Sequence, residues 1–139
     1  MVAAMKPRLA FLCLGNSCRS IMAEALARHF FGGQIEAVSA GLSPLGWVAP
    51  ETLVVLAELH IPTAGLWSKG LAEVDLGACQ AIINFSGRDL KGYLPPDWLS
   101  RVLHREIADP FGFDLDHYRH SRDAIRALLT QELPAWLAG

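Results

Sequence analysis

The apolar and polar positions of the chain predict strands and helices in alternation. A short apolar run at residues 9–12 stops at a Gly-Asn turn, which is typical of a buried strand. Apolar residues then recur at helical spacing over residues 20–31, and two glycines end that pattern. Three further strands are predicted at residues 35–40, 80–85 and 101–107.

Three more helices are predicted between and after these strands. Pro50 suits the first turn of a helix, which must end before Pro62. Residues 66–77 have a mixed pattern that indicates a short helix. A long last helix begins near Asp114, and we expect it to end at Pro134 because proline disfavours a helical conformation in the residue before it.

Strands that alternate with helices need crossover connections, so we expect a mostly parallel sheet that is covered on both faces. The predicted fold class is α/β, in a three-layer Rossmann-like arrangement. No repeat or linker divides the chain, and its length suits one domain over residues 1–139. Ligands of such sheets bind beyond the carboxyl ends of the strands, so the loops after the strands are the candidate sites.

The composition argues against several classes of protein. Twelve Lys and Arg residues against 14 Asp and Glu residues give a net charge of −2, which leaves no basic stripe for a nucleic acid. The chain is 52% hydrophobic and 19% charged, unlike a disordered protein. No apolar run approaches the roughly 18–20 residues of a membrane helix, and the N-terminus does not read as a signal peptide. We expect neither a nucleic-acid nor a membrane partner.

The chain has three cysteines, Cys13, Cys18 and Cys79, so at least one thiol has no partner within the chain. A small odd number of cysteines in a chain that can build its own core favours a reducing compartment, and we expect the cytoplasm. The five histidines show no metal-ligand spacing together with the cysteines. We expect no metal site.

The loop at residues 13–20, CLGNSCRS, joins the first strand to the first helix and has the character of an anion cradle. Gly15 and Asn16 are residue types that tolerate a positive φ, so successive backbone N–H groups can turn towards one point. The N-terminus of the helix adds its own amides and the positive end of its dipole. Arg19 adds a planar guanidinium that suits two oxygens of a tetrahedral anion. The other expected anion-binding residues are Leu14, Gly15, Asn16, Ser17, Cys18 and Ser20.

Cys13 begins this loop and faces its positive field, which favours the thiolate, the nucleophilic form of cysteine. A cysteine at the end of an apolar strand is usually just a small buried side chain. Packing alone does not explain the whole motif at a strand-to-helix turn, so we interpret Cys13 as catalytic. Ser20 can donate a hydrogen bond to the thiolate or cap the helix, and the sequence leaves both roles open.

Residues 13–20, with MAEA at 22–25, resemble the signature of the low-molecular-weight protein tyrosine phosphatases and of the arsenate reductases that share their fold. Residues 39–44 and 109–111 also match this family, and the resemblance covers nearly the whole chain. It implies a four-stranded parallel sheet with helices on both sides. It also implies that Asp109 first acts as the acid and then as the base for the hydrolytic water. Outside this context an Asp-Pro pair is usually only a turn.

The resemblance also bears on the substrate. Phosphatases of this family usually carry two adjacent aromatic residues after Asp-Pro, whereas this chain has Phe111 followed by Gly112. Half of the expected aromatic wall is therefore missing. Trp47, together with Leu45, lies in the family's variable loop and is a candidate for the opposite wall.

The first hypothesis is a cysteine-dependent phosphatase that forms a phosphocysteine and needs no cofactor. Its substrate would be a phosphorylated protein, at tyrosine, or a small aryl phosphate. The alternative is an arsenate reductase supplied with electrons by an external thiol or a redoxin, because residues 86–93 hold no thiol. Cys79 precedes the third strand and would lie roughly 20 Å from the active end. A third hypothesis is a regulatory domain that binds an oxyanion without turnover.

A redox role is also predicted for Cys18, five positions after Cys13. A reactive thiolate oxidises readily to a sulfenic acid, and a neighbouring thiol can trap that state as a disulfide. The other interpretation is that Cys18 only packs beneath the loop.

Overall fold

The computed structural model describes residues 6–138. Its strands are β1 (Arg8–Cys13), β2 (Glu36–Gly41), β3 (Ala81–Asn84) and β4 (Val102–His104). They form one parallel sheet in the order β2-β1-β3-β4. The predicted α/β class with four parallel strands is confirmed. Because β1 is an inner strand, the cradle that follows it lies between the ends of β2 and β3.

The α-helices are α1 (Arg19–Phe31), α2 (Pro50–Ala57) and α3 (Leu115–Ala138). Side chains of all three pack on one face of the sheet, in a core with Phe11 and Ile83. The opposite face is covered by segments that contain short 3-10 helices (71–73, 76–78 and 96–101). Both faces are therefore covered, as expected, but the second layer has no α-helix in the described part of the chain.

The predicted end of the last helix at Pro134 is wrong, because α3 continues to Ala138 with the proline inside it. Leu133 and Trp136 are buried against the core while Pro134 faces solvent. Gln80 Nε2 donates a hydrogen bond to the carbonyl of Trp136 at 3.0 Å. Burial of these apolar side chains offsets the roughly 3 kcal/mol that an internal proline costs a helix.

The fourth strand is shorter than expected, since it spans Val102–His104 rather than residues 101–107. The short helix predicted within residues 66–77 is present as 3-10 turns at Leu71–Glu73 and Leu76–Ala78. The extended segment after β4 leads directly to Asp109 at the carboxyl end of the sheet. Within residues 6–138, no helix has the length and apolar character needed to cross a membrane.

Candidate active site

Residues 13–20, which are predicted to form an anion cradle, join β1 to α1, and their backbone differs from the prediction at one position. Asn16 adopts the left-handed conformation with φ 46°, but Gly15 does not have a positive φ. A Cβ added at Gly15 would lie 3.0 Å from Leu45 Cγ. Glycine at this position therefore allows Leu45 to approach the loop closely, and only Asn16 provides the left-handed turn.

Three hydrogen bonds hold the side chain of Asn16, which is fully buried. Its Nδ2 donates to Ser20 Oγ at 2.8 Å and to Ser39 Oγ at 3.0 Å. Its Oδ1 accepts from the backbone N–H of Lys69 at 2.9 Å. These bonds fix a backbone conformation that is unfavourable for most side chains, and so they stabilise the cradle.

Ser20 contacts the candidate nucleophile directly. Its Oγ lies 2.8 Å from Cys13 Sγ, and α1 has no side-chain N-cap hydrogen bond. The contact brings the Ser20 hydroxyl to the sulfur, which the first of the two roles left open by the sequence requires.

A buried ion pair lies behind Asn16 and was not found from the sequence. Ser39 Oγ donates to Glu24 Oε1 at 2.7 Å, and Lys69 Nζ lies 3.2 Å from the same oxygen. The side chains of Glu24 and Lys69 are only 1% and 6% exposed. We call Asn16, Ser20, Ser39, Glu24 and Lys69 the floor network. It joins the sulfur of Cys13 to a pair of opposite charges inside the protein.

Arg19 is held by the segments that follow β3 and β4. Its Nη1 donates to the carbonyl oxygens of Phe85 at 2.7 Å and Ile107 at 3.2 Å, and its Nη2 lies 3.4 Å from Asp109 Oδ2. The Arg19 side chain is 9% exposed, whereas that of Asp109 is 50% exposed. Asp109 Oδ1 also accepts from the N–H of Phe111 at 3.1 Å, which orients the carboxylate. The guanidinium is thus fixed in the cradle with the acid beside it.

One cleft of about 460 Å³ contains the three predicted catalytic residues. Its lining residues are Cys13, Leu14, Gly15, Ser17, Cys18, Arg19, Ser43, Leu45, Arg88, Tyr93, Asp109 and Phe111. Arg88 and Tyr93 were not singled out from the sequence. The signal that could have found them is their position in the loop after the third strand, at the ligand-binding edge of the sheet.

The two predicted aromatic walls do not face each other. Phe111 lines the cleft, but Trp47 lies against Phe111 with a ring-centroid distance of 6.0 Å and lines the pocket next to it. The described structure therefore does not place Trp47 as the opposite wall. Leu45 and Tyr93 line the cleft instead.

Ser17 and Cys18 connect the cradle to the helices. Ser17 Oγ accepts from the N–H of Ala49 at 2.9 Å, next to the start of α2. Cys18 Sγ donates to Tyr118 Oη on α3 at 3.6 Å, and burial raises the pKa of the Cys18 thiol. The side chain of Cys18 is thus buried in the core and hydrogen-bonded to α3.

Cys79 lies away from the cleft, in the core on the opposite face of the sheet from Cys13. Burial raises the pKa of its thiol to about 11. Within the described range 6–138, His, Cys, Asp and Glu side chains form no group of three or more that is arranged to hold a metal ion.

Comparison with known proteins agrees with this geometry. A family model described as low molecular weight phosphotyrosine protein phosphatase matches residues 8–138. The protein-arginine-phosphatase of Bacillus subtilis is 32% identical over 87% of this chain and 91% of its own length. The glutaredoxin arsenate reductase of Synechocystis is 28% identical over 86% of this chain and 90% of its own length.

A solved structure of a variant of the arginine phosphatase YwlE, with a phosphorylated active-site serine, has the same fold. Its TM-score is 0.82 with 25% sequence identity, and the match covers 94% of this chain and 95% of the other. The match of the family model over almost the whole described chain agrees with the signature at residues 13–20. The chain therefore belongs to the low molecular weight phosphotyrosine protein phosphatase family, whose phosphatases and arsenate reductases are enzymes.

Proposed function

We propose that this protein hydrolyses phosphomonoesters through a phosphocysteine on Cys13, with a phosphotyrosine protein or an aryl phosphate as substrate. The observation that carries the proposal is the carboxylate of Asp109. It lines the same cleft as Cys13 and lies 3.4 Å from the guanidinium of Arg19. An acid at this place can protonate the leaving oxygen of an alcohol or phenol, which departs poorly without a proton.

In the first step, the Cys13 thiolate attacks phosphorus in line with the leaving oxygen, and Asp109 transfers its proton to that oxygen. The amides of the cradle and the Arg19 guanidinium bind the non-bridging oxygens as charge shifts on them. Because Arg19 is anchored to the carbonyls of Phe85 and Ile107, it needs little reorganisation during the reaction.

In the second step, the carboxylate of Asp109 accepts a proton from water, whose oxygen attacks phosphorus and releases Cys13 as the thiolate. Ser20 stabilises that leaving thiolate through the contact of 2.8 Å. The phosphorylated active-site serine in the related YwlE variant supports a covalent intermediate at this position of the fold. This chemistry needs no cofactor. The free thiols favour a reducing compartment, and we propose the cytoplasm.

The second candidate is an arsenate reductase, and the similarity to the Synechocystis enzyme is the observation that favours it. Cys13 and Arg19 would take up arsenate in the same cradle. Cys79 is an unfavourable relay because it is buried on the other face of the sheet. This reaction would therefore need an external thiol or redoxin to reduce the arsenate adduct.

The test measures turnover of 4-nitrophenyl phosphate, a phosphotyrosine peptide and a phosphoarginine peptide, and arsenate-dependent oxidation of glutathione, mycothiol or reduced thioredoxin, on one preparation. We expect phosphoester turnover that Cys13→Ser abolishes and that Asp109→Ala lowers about 10²- to 10⁴-fold. Asp97→Ala is the matched control, because Asp97 is exposed and does not line the cleft.

Wild-type turnover in Cys13→Ser would show that the mechanism is wrong. Arsenate-dependent thiol oxidation without phosphoester turnover would favour the reductase. Phosphate binding by calorimetry with neither activity would favour a regulatory domain that only binds an oxyanion.

A further inference from the structure

The segment after β3 brings a second arginine to the cleft. Arg88 lines the cleft together with Cys13 and Asp109. It lies three positions after Phe85, whose carbonyl anchors Arg19. The two arginines therefore belong to one cleft, with Arg19 buried and Arg88 exposed to solvent.

The backbone that carries Arg88 is tied to the end of β3. The Oδ1 of Asn84, a residue that is 1% exposed, accepts from the N–H and Oγ of Ser86 at 3.0 and 2.6 Å. Asn84 Nδ2 donates to the carbonyl of Arg88 at 2.8 Å, and the N–H of Arg88 donates to Ser86 Oγ at 3.1 Å. Gly87 has φ 75°, a conformation that suits glycine. These bonds fix the place from which the Arg88 side chain extends.

The charge of Arg88 has no carboxylate partner in residues 6–138. Its guanidinium forms neither an ion pair nor a hydrogen bond there, whereas the charges of Arg19 and Asp109 lie 3.4 Å apart. An arginine at the edge of a cleft presents a planar group that pairs with a carboxylate or phosphate. The cleft thus contains a cation that the proposed hydrolysis does not use.

We propose that Arg88 binds a second anionic group of the substrate, on the side of the leaving group. This inference rests on the proposed function and specifies its substrate class, a phosphomonoester whose leaving group carries a nearby carboxylate or phosphate. An acidic residue beside a phosphotyrosine and an acidic substituent on a small aryl phosphate offer the same chemistry. Tyr93, which also lines the cleft, is available to contact the leaving group.

The experiment measures binding, so that it does not depend on turnover. Two peptides with the non-hydrolysable phosphotyrosine analogue phosphonomethyl-phenylalanine differ only in Glu or Gln at the adjacent position. A small-molecule pair, carboxyphenyl and carbamoylphenyl phosphonate, separates recognition of a small acid from recognition of a peptide. The proteins are wild type, Arg88→Gln and the matched control Arg126→Gln, which removes the same charge from the exposed face of α3.

We expect wild type and Arg126→Gln to bind the acidic member of at least one pair about five-fold more tightly at low salt. In Arg88→Gln the ratio of the two affinities falls to about one, and in wild type this ratio decreases as salt is added. A preference that survives in Arg88→Gln, that is lost equally in Arg126→Gln, or that is absent from wild type overturns the proposal. Lack of binding by wild type does so as well. If wild type keeps the preference but does not turn over 4-nitrophenyl phosphate, the proposed hydrolase function is wrong and the anion site at Arg88 is still supported.

Discussion

The floor and the rim of the cleft are built in opposite ways. In the floor network, Asn16 and Ser20 are completely buried, and Lys69 and Glu24 pair with each other inside the protein. At the rim, Phe111 and Tyr93 are 45% and 41% exposed, and Arg88 has no carboxylate partner among residues 6–138. The polar groups of the floor are occupied by the protein itself, whereas the rim presents its groups to solvent.

This difference indicates that the floor serves the chemical step and that the rim selects the substrate. Groups that stabilise developing charge act best when they are already oriented before the substrate arrives, and buried hydrogen bonds provide that orientation. Selection needs surfaces that touch the variable part of the substrate, and such surfaces must be open. We infer that substitutions in the floor mainly change stability and the rate of the chemical step, and that substitutions at the rim mainly change which substrates bind.

The largest effect is expected in the floor. Glu24→Gln keeps the shape of the side chain but leaves the buried ammonium of Lys69 without its carboxylate. We expect a loss of about 3–5 kcal/mol in the free energy of unfolding, measured with urea. Glu36→Gln makes the same change in the exposed pair with Arg8 and should cost at most about 1 kcal/mol.

The double variant Glu24→Gln/Lys69→Met removes both charges and should recover part of the lost stability. Equal losses in Glu24→Gln and Glu36→Gln would contradict the assignment of Glu24 to a buried network. The assignment would also be contradicted if the double variant lost more stability than the losses of Glu24→Gln and Lys69→Met added together.

An intermediate effect concerns Cys18, which lines the cleft but is buried and donates a hydrogen bond to Tyr118. Hydrogen peroxide should oxidise Cys13 to a sulfenic acid, and the thiol of Cys18 should then displace water from it to form a disulfide. For this the thiol must leave Tyr118, to which it now donates. Because burial raises the pKa of Cys18, we expect it to remain a thiol at neutral pH and to act only as the trapping group.

The measurement is the activity recovered with dithiothreitol after peroxide treatment. Wild type should recover, phosphate should protect it, and inactivation of Cys18→Ser should be irreversible. Recovery of Cys18→Ser to the wild-type level would rule out the trapping role and leave Cys18 with its packing role.

The smallest effect is expected at the rim. Phe111→Ala removes an exposed ring from the cleft, so KM for an aryl phosphate should rise a few-fold, corresponding to about 1 kcal/mol of lost contact. Stability should change by less than about 0.5 kcal/mol. Phe113→Ala is the control, because this ring is 59% exposed and does not line the cleft. An equal rise of KM in both variants would contradict a specific role of Phe111.

Local patterns in the sequence were enough to predict the parallel sheet and the loop at residues 13–20. A strand, a Gly-Asn turn and a helix start are specified by neighbouring residues, and this succession is what predicts a cradle of backbone amides. The prediction that Asp109 lies at the same end of the sheet as Cys13 followed from the family resemblance and from the rule that parallel strands end at one edge, whereas its contact with Arg19 is known only from the structure. The sequence also identified Cys13 as the candidate nucleophile, because the residues around it had no packing explanation.

Only the tertiary structure decided the features that depend on distant contacts. The bond from Lys69 to Asn16 joins positions 53 apart, and the bond from Cys18 to Tyr118 joins positions 100 apart. No local pattern specifies such pairs. The extension of α3 past Pro134 has the same cause, since packing of Trp136 against the core outweighs a local preference. Trp47 lies against Phe111 rather than across the cleft. This packing of two exposed rings is likewise a long-range contact that no local pattern specifies.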